Sequence, residues 1–470
     1  MTTPIAKHEK YKDMYGSNEL FWGIGIELET YLQYTKKINV ACSIIRSNHK
    51  QERYSLNYYN TFKPGYEKYF DEVFPDASGF IPLPLFLNGH SLQKTDIKGN
   101  HQTTFEKIPK INPLFSGKTV LDELQEFDRE LFFDGLNKEY VFDGDTIEFM
   151  TLNFYKVKAD KCIRELVDFK KRFIRRINDF LVSKRYHLER GSLCYPPVNP
   201  GWAIYCTNNQ NVTMFNNGTY HVNITLPSFL GVSQAEQTQT LQVEPAQLLY
   251  PVLFKQTHKK AILYYQWLEP FLISMYGTSD PFSAHFPEFS KSSQRCAVSR
   301  YIGIGTYDTE TMTEGKILTS SISEITGTDS SFWWYKRYHE KSAYQPFEKI
   351  GMDINYRKHY NHGIELRFFD WFPEEHLQEL LCFLIRVADC SSMRPEAPPA
   401  IQSETWNDFV LGIMQEGKEF IMTEAMVASY EKLFLVTVDV PKNTVKSVFA
   451  CLRTAIVKKY KHGYCSKLML

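Results

Sequence analysis

Gly25-Ile26-Glu27-Leu28-Glu29 places an acid at every second residue and an apolar side chain between them. In a β-strand, residues i and i+2 point to the same side. Glu27 and Glu29 then share one face, while Ile26 and Leu28 share the other. Two later segments repeat the arrangement: His221-Val222-Asn223-Ile224-Thr225 and Gly363-Ile364-Glu365-Leu366-Arg367. A fourth, Thr146-Ile147-Glu148-Phe149-Met150-Thr151, sets another carboxylate between apolar neighbours. Any one of these, taken alone, is most simply the wet face of an antiparallel sheet. Taken together, their polar positions lack the Lys, Ser and Gln of an ordinary wet face and hold mostly Glu, His, Asn and Arg. Carboxylates and an imidazole gathered on one sheet face repel each other unless cations sit among them. That is the composition of a divalent-metal and phosphate site. The pattern predicts an α+β fold: an antiparallel sheet whose polar face lines a cleft and whose apolar face is covered by helices.

Composition narrows the function classes. The 470 residues can bury a large core. Lys+Arg and Asp+Glu are 54 each, and the pI is about 7.2, so no global basic field invites nucleic acid. Aromatic residues make up 15% of the chain, as in a packed protein rather than a disordered one. Met1 to Asn18 lacks the apolar core of a secretory signal, and no apolar run is long enough to span a bilayer. The nine cysteines include no Cys-x-x-Cys pair and read as reduced thiols of a cytoplasmic protein. Without a secretory signal, the Asn-x-Thr sequons at Asn211, Asn217 and Asn223 carry no weight.

Along the chain, Phe21 to Leu32 reads as the first strand. Tyr34 to Gly117 is rich in Lys, Asn, Tyr and Pro and reads as a long insertion with little regular structure. Thr119 to Phe132 has helical spacing, and Val141 to Phe154 reads as strand. Lys158 to Arg185 is the clearest helix, with a stripe of Ile163, Leu166, Val167, Phe173, Ile174, Ile177, Phe180 and Leu181. Its Lys170, Lys171, Arg172, Arg175 and Arg176 read as a solvated face. Ala203 to Cys206 and Tyr220 to Leu226 read as strands, and Pro245 to Tyr276 as a helix ended by Gly277. Pro373 with Glu374-Glu375 opens another helix, running to about Cys390. Residues 1–394 are expected to form the catalytic domain, with the insertion at about 34–117. Residues 395–470 are expected to be a helical extension packed on it.

In this order, the segments resemble the motifs of glutamate–cysteine ligases: Gly25 to Glu29, Glu148 to Thr151, His221 to Pro227, and Glu365-Leu366-Arg367-Phe368-Phe369-Asp370. Glu269 to Pro281 also resembles that family's helix end and the Gly-Ala-Ser-Pro-like turn after it. These enzymes belong to the wider carboxylate–amine ligase group, whose catalytic fold is that of glutamine synthetase. The resemblance spans roughly Phe21 to Cys390. It implies a curved antiparallel sheet with helices on the convex side and the active site on the concave side. The chain departs from the family in a longer stretch between the first two motifs. Asp143 or Asp145 stands in for an acid usually found upstream of the second-motif glutamate. Arg295-Cys296-Ala297-Val298-Ser299-Arg300 only loosely echoes a Ser-x-Arg-x-Ser pattern that helps hold the amino-acid substrate.

The resemblance implies ATP-driven joining of a carboxylate to an amine through an acyl phosphate, with two or three Mg²⁺ (or Mn²⁺) ions. Catalysis of that kind is mostly electrostatic. On this reading Glu27, Glu29, Glu148, His221 and Glu365 hold metal, and Asn223 orients phosphate oxygens or a ligand. His221 faces a metal or a nucleotide phosphate. Arg367 either neutralises the transferring phosphoryl, whose geometry suits a guanidinium, or orients Glu365 by a salt bridge. Arg295 or Arg300 binds a substrate carboxylate. Small-molecule or peptide acids and amines are the expected partners, with no nucleic acid and no membrane. The rival readings are a guanidino phosphotransferase, an inert nucleotide-binding scaffold, and a metal-bound hydrolase.

Overall fold

The computed structural model describes residues 23–30, 32–35, 93–95, 101–103, 126–128, 139–143, 146–151, 159–195, 219–225, 251–279, 291–292, 314–318, 342–346, 354–355, 364–400 and 403–463. The sheet that carries the motifs has six strands: β1 (Gly23–Thr30), β5 (Tyr140–Asp143), β6 (Thr146–Met150), β8 (Thr219–Thr225), β11 (Ile354–Asn355) and β12 (Ile364–Leu366). Their order across the sheet is β11-β12-β8-β1-β6-β5, and every pairing is antiparallel. Outside it lie three two-stranded pairs. β2 (Gln33–Tyr34) pairs with β7 (Leu193–Cys194), β3 (Gln93–Thr95) with β4 (His101–Thr103), and β9 (Glu314–Leu318) with β10 (Ser342–Pro346).

The register sorts the two faces completely. Ile24, Ile224 and Ile364 stand opposite one another across β1, β8 and β12, as do Ile26, Val222 and Leu366. Leu28 stands opposite both Tyr220 and Phe149. These side chains are buried. Those of β1 and β6 meet α1 (Ala159–Ser183), where the Phe173 ring lies 5.4 Å from Phe149 and 4.6 Å from Tyr140. The amphipathic helix therefore lies on the face that alternation assigned to the core. At the end of β6 the Thr151 hydroxyl accepts from Ile26 N–H at 3.1 Å, and Thr151 N–H donates to the Ile26 carbonyl at 3.0 Å.

A short helix, α2 (His187–Arg190), follows α1. The longer helices α3 (Pro251–Tyr276), α4 (Leu377–Met393), α5 (Glu404–Glu416), α6 (Glu424–Phe434) and α7 (Val445–Lys459) build one continuous core behind this layer. Phe271 of α3 contacts the rings of Phe409, Tyr430 and Phe449, one from each of α5, α6 and α7. The Tyr430 hydroxyl donates to the Trp267 carbonyl at 2.7 Å. Hydroxyls at Ser403, Thr423 and Thr444 cap α5, α6 and α7 by accepting from Trp406, Met426 and Ser447 N–H. No described helix is long and apolar enough to cross a membrane.

Three sequence expectations need correction. Val141 to Phe154 is not one strand: Asp143 pairs with Thr146, so the chain reverses between β5 and β6. Asp143-Gly144-Asp145 is a turn signal that the apolar flanks hid. Within the insertion at about 34–117, expected to carry little regular structure, the described residues include the short pair β3 and β4. The buried stripe of α1 is Ala159, Cys162, Leu166, Phe169, Phe173, Ile177, Phe180 and Leu181. Ile163 and Ile174 lie on its flank, half-buried. Finally, the basic face of α1 is only partly a solvated one. Lys170 pairs with Glu374, Arg172 with Glu139, and Arg176 grips both oxygens of Asp128. Arg295, Arg300, Asp145 and the segment Ala203 to Cys206 lie outside the described residues.

Phe149 is fully buried between the rings of Phe173, Tyr140 and Tyr195. Phe149→Ala is expected to lower unfolding free energy by about 3–5 kcal/mol, measured by urea denaturation. A loss below 1 kcal/mol would mean that this face is not the core.

Candidate active site on the polar face of the sheet

Segments from distant parts of the sequence meet because β1 lies between β6 and β8, and β12 pairs on the far side of β8. Glu27 stands opposite His221, and Glu29 opposite both Thr219 and Glu148. Asn223 stands between Gly25 and Glu365. Directly opposed residues of antiparallel strands share a face, so these groups project together. They are also buried: Glu365 is 0% exposed, Glu27 3%, Glu29 8% and Glu148 9%. A wet sheet face does not look like this. Buried carboxylates lose hydration and repel one another, so each must find a compensating group.

His221 is the first such group. Its Nδ1 lies 3.2 Å from Glu27 Oε2 and 3.5 Å from Glu365 Oε1, and its Nε2 lies 3.1 Å from Thr219 Oγ1. Burial lowers the imidazole pKa, the Arg367 charge lowers it further, and the bond to Glu27 with the charges of Glu29 and Glu365 opposes both. Arg367 is the second group. Its Nη1 donates to Glu365 Oε1 at 3.0 Å, while about a quarter of its side chain remains exposed. The guanidinium is thus held against Glu365 while part of the Arg367 side chain stays accessible.

A metal ion would be a third kind of compensation, and the residues fit one. Glu27, Glu148 and His221 each offer a donor atom, and these atoms lie within 4.8 Å of one another. The two carboxylates suit Mg²⁺ or Mn²⁺, and the imidazole adds a nitrogen donor of the kind that Zn²⁺ also takes. Of the five ligands expected from the sequence, these three converge. Glu29 and Glu365 share the face but stand outside the triple.

Two polar contacts were not legible in the motifs. Thr219 carries the hydroxyl next to His221; the strand read from the sequence began one residue later, at Tyr220. Asp370, buried at the end of its motif, accepts from Thr278 N–H at 2.8 Å through Oδ2. That bond ties the turn after α3 to the exit of β12, bringing two of the resembling segments together. Thr219, two residues before His221, shares its face by alternation once the strand is extended to it, whereas only the tertiary arrangement reveals the partner of Asp370.

Over all 470 residues the chain is 36% identical to uncharacterized protein R704 of Acanthamoeba polyphaga mimivirus, and it spans 80% of that protein's length. The chain belongs to the same family as this viral protein. No family model matches the chain, and no solved structure does.

Two outcomes follow from this geometry. Glu27→Gln keeps an oxygen that can accept from His221 but removes one of several like charges. Stability without metal should stay level or rise slightly, while Mn²⁺ affinity drops on the order of 10-fold or more; calorimetry and thermal unfolding read the two separately. The second concerns acid. His221 has a folded pKa below its unfolded value near 6.5, so unfolding takes up a proton as pH falls below about 6.5. Its contribution is present above that pH and is lost as pH falls through the folded pKa. His221→Asn should therefore show a shallower loss of stability between about pH 7 and 5 than the parent. Identical slopes would show that the ring is not held neutral by folding.

Proposed function

We propose that this chain is an ATP- and magnesium-dependent carboxylate–amine ligase, built on a glutamine synthetase-like sheet, that forms an amide or peptide bond, with γ-glutamyl transfer within its range. The observation that carries this reading is the convergence of Glu27, Glu148 and His221, with the Glu365–Arg367 pair alongside, on one buried sheet face. Such a face is suited to holding a polyanion. The carboxylates of ATP-dependent ligases meet phosphates only through cations, so acids and a guanidinium belong together in one site.

The chemistry asked of the site is limited. A carboxylate resists attack by an amine because its leaving group would be oxide. Phosphoryl transfer from ATP to a carboxylate oxygen releases ADP and leaves an acyl phosphate. The amine nitrogen then bonds to the acyl carbon, the carbon–oxygen bond to phosphate breaks, and the nitrogen gives up a proton. Mg²⁺ held by Glu27, Glu148 and His221 would neutralise phosphate charge. Glu29 and Glu365 extend the acidic face toward any further ion. Arg367 presents a planar pair of donors to the moving phosphoryl, and Glu365 fixes its direction. Asn223 offers an amide beside Glu365 for a phosphate or substrate oxygen. Arg295 and Arg300 remain candidates for a substrate carboxylate. The expected setting is the cytoplasm, with small-molecule or peptide acids and amines as substrates.

The decisive experiment supplies ATP, Mg²⁺ and a panel of acids, with hydroxylamine in place of the amine. A ligase gives a hydroxamate in step with ADP. ADP formation with an acid, without hydroxamate even at high hydroxylamine, favours the guanidino phosphotransferase reading. No nucleotide turnover with any acid favours the scaffold. Arg367→Lys keeps the charge beside Glu365 but loses the two-point contact, and kcat should fall roughly 10-fold or more. A change confined to KM would assign Arg367 to ground-state binding alone.

A further inference from the structure

We propose that Thr219 is a positioning residue for this site: its hydroxyl lets His221 exchange the ring nitrogen that carries the proton, freeing Nδ1 for a metal ion. The inference rests on the metal reading above. The Nδ1 edge of His221 faces Glu27 Oε2 at 3.2 Å and Glu365 Oε1 at 3.5 Å. Ionised carboxylates only accept hydrogen bonds, so without metal the neutral ring carries its proton on Nδ1 and donates it to Glu27. Nε2 is then an acceptor, and the Thr219 hydroxyl at 3.1 Å donates to it.

A cation held with Glu27 and Glu148 needs a ring lone pair, and the nitrogen turned toward Glu27 is the protonated one. For Nδ1 to bind metal, its proton must leave and one must be taken at Nε2, so the ring's proton count is unchanged. Nε2–H then needs an acceptor. Thr219 is 1% exposed, and a hydroxyl accepts as readily as it donates. The same side chain therefore serves both tautomers after a rotation about its C–O bond. Valine has nearly the same shape and serves neither role. In Thr219→Val the metal-loaded tautomer would bury Nε2–H without this partner, a cost that falls on metal binding. Serine retains the hydroxyl. The strand register supports the assignment: Thr219 stands opposite Glu29 and His221 opposite Glu27, so the pairing holds both side chains on the site's face.

The test uses the full chain. In ¹⁵N-labelled metal-free protein, the His221 nitrogens should report the Nδ1–H tautomer, and adding Mg²⁺ should convert it to Nε2–H. Calorimetric titration with Mn²⁺ should show binding weakened about 10- to 100-fold in Thr219→Val and mostly restored in Thr219→Ser. Parent-like Mn²⁺ affinity in Thr219→Val, alongside lost affinity in His221→Ala, overturns the inference while leaving the metal site standing. No Mn²⁺ binding by the parent, or equal binding by parent and His221→Ala, overturns the metal reading and the inference together. If Thr219→Val does not fold, the parent's own spectra decide: a tautomer unchanged by saturating Mg²⁺ overturns the proposal.

Discussion

The constraint on which this structure depends is the opposition between the two faces of one sheet. Apolar side chains of β1, β6, β8 and β12 fill a core, while the same strands bury carboxylates on the reverse side. Because side chains alternate with a period of two, a slip of one residue in any pairing would turn Glu27 or Glu365 into the apolar core and set Ile26 or Leu366 among the polar groups. The cost of a bare charge in that core is large enough to forbid it. Register is therefore fixed from both sides, and with it the mutual placement of every polar group on the face.

That face is electrostatically unfavourable by construction. Buried acids near one another are compensated by the imidazole of His221 and by the guanidinium of Arg367. The apolar face and the helices behind it supply what this arrangement costs in stability. Phe149, Phe173 and Tyr140 form one aromatic cluster there, and Phe271 gathers rings from α5, α6 and α7 into the same core. A strongly packed support lets the sheet retain these buried charges. The division of labour follows from the physics of functional sites in general, where local rules are broken and the surroundings hold the result in place.

Much of this was legible because short apolar and charged alternations carry their own geometry. Ile26, Leu28, Val222, Ile224, Ile364 and Leu366 all lie in the core, as alternation required. The acids were legible as a set, but not their burial, since a strand pattern cannot distinguish a wet face from a closed one. The turn between β5 and β6 was hidden by apolar neighbours on both sides. The phase of α1 was read about one residue off on one flank: Phe169 and Cys162 are buried, while Ile163 and Ile174 sit at the margin. Helical periodicity fixes an arc, and the partner surface selects the residues within it.

The sequence by itself determined which residues share a face, because strand geometry is local and has a period of two. It determined the helical segments and the chemical character of the site for the same reason: propensity, capping and alternation act between near neighbours. Only the tertiary structure decided that donor atoms of Glu27, Glu148 and His221 lie within 4.8 Å of one another. It alone placed His221 against Glu27, and Asp370 against the turn after α3. Those two contacts join residues 194 and 92 positions apart, and the first depends on strand order. Strand order is set by how four distant segments cover a common core, and no window of sequence contains that information.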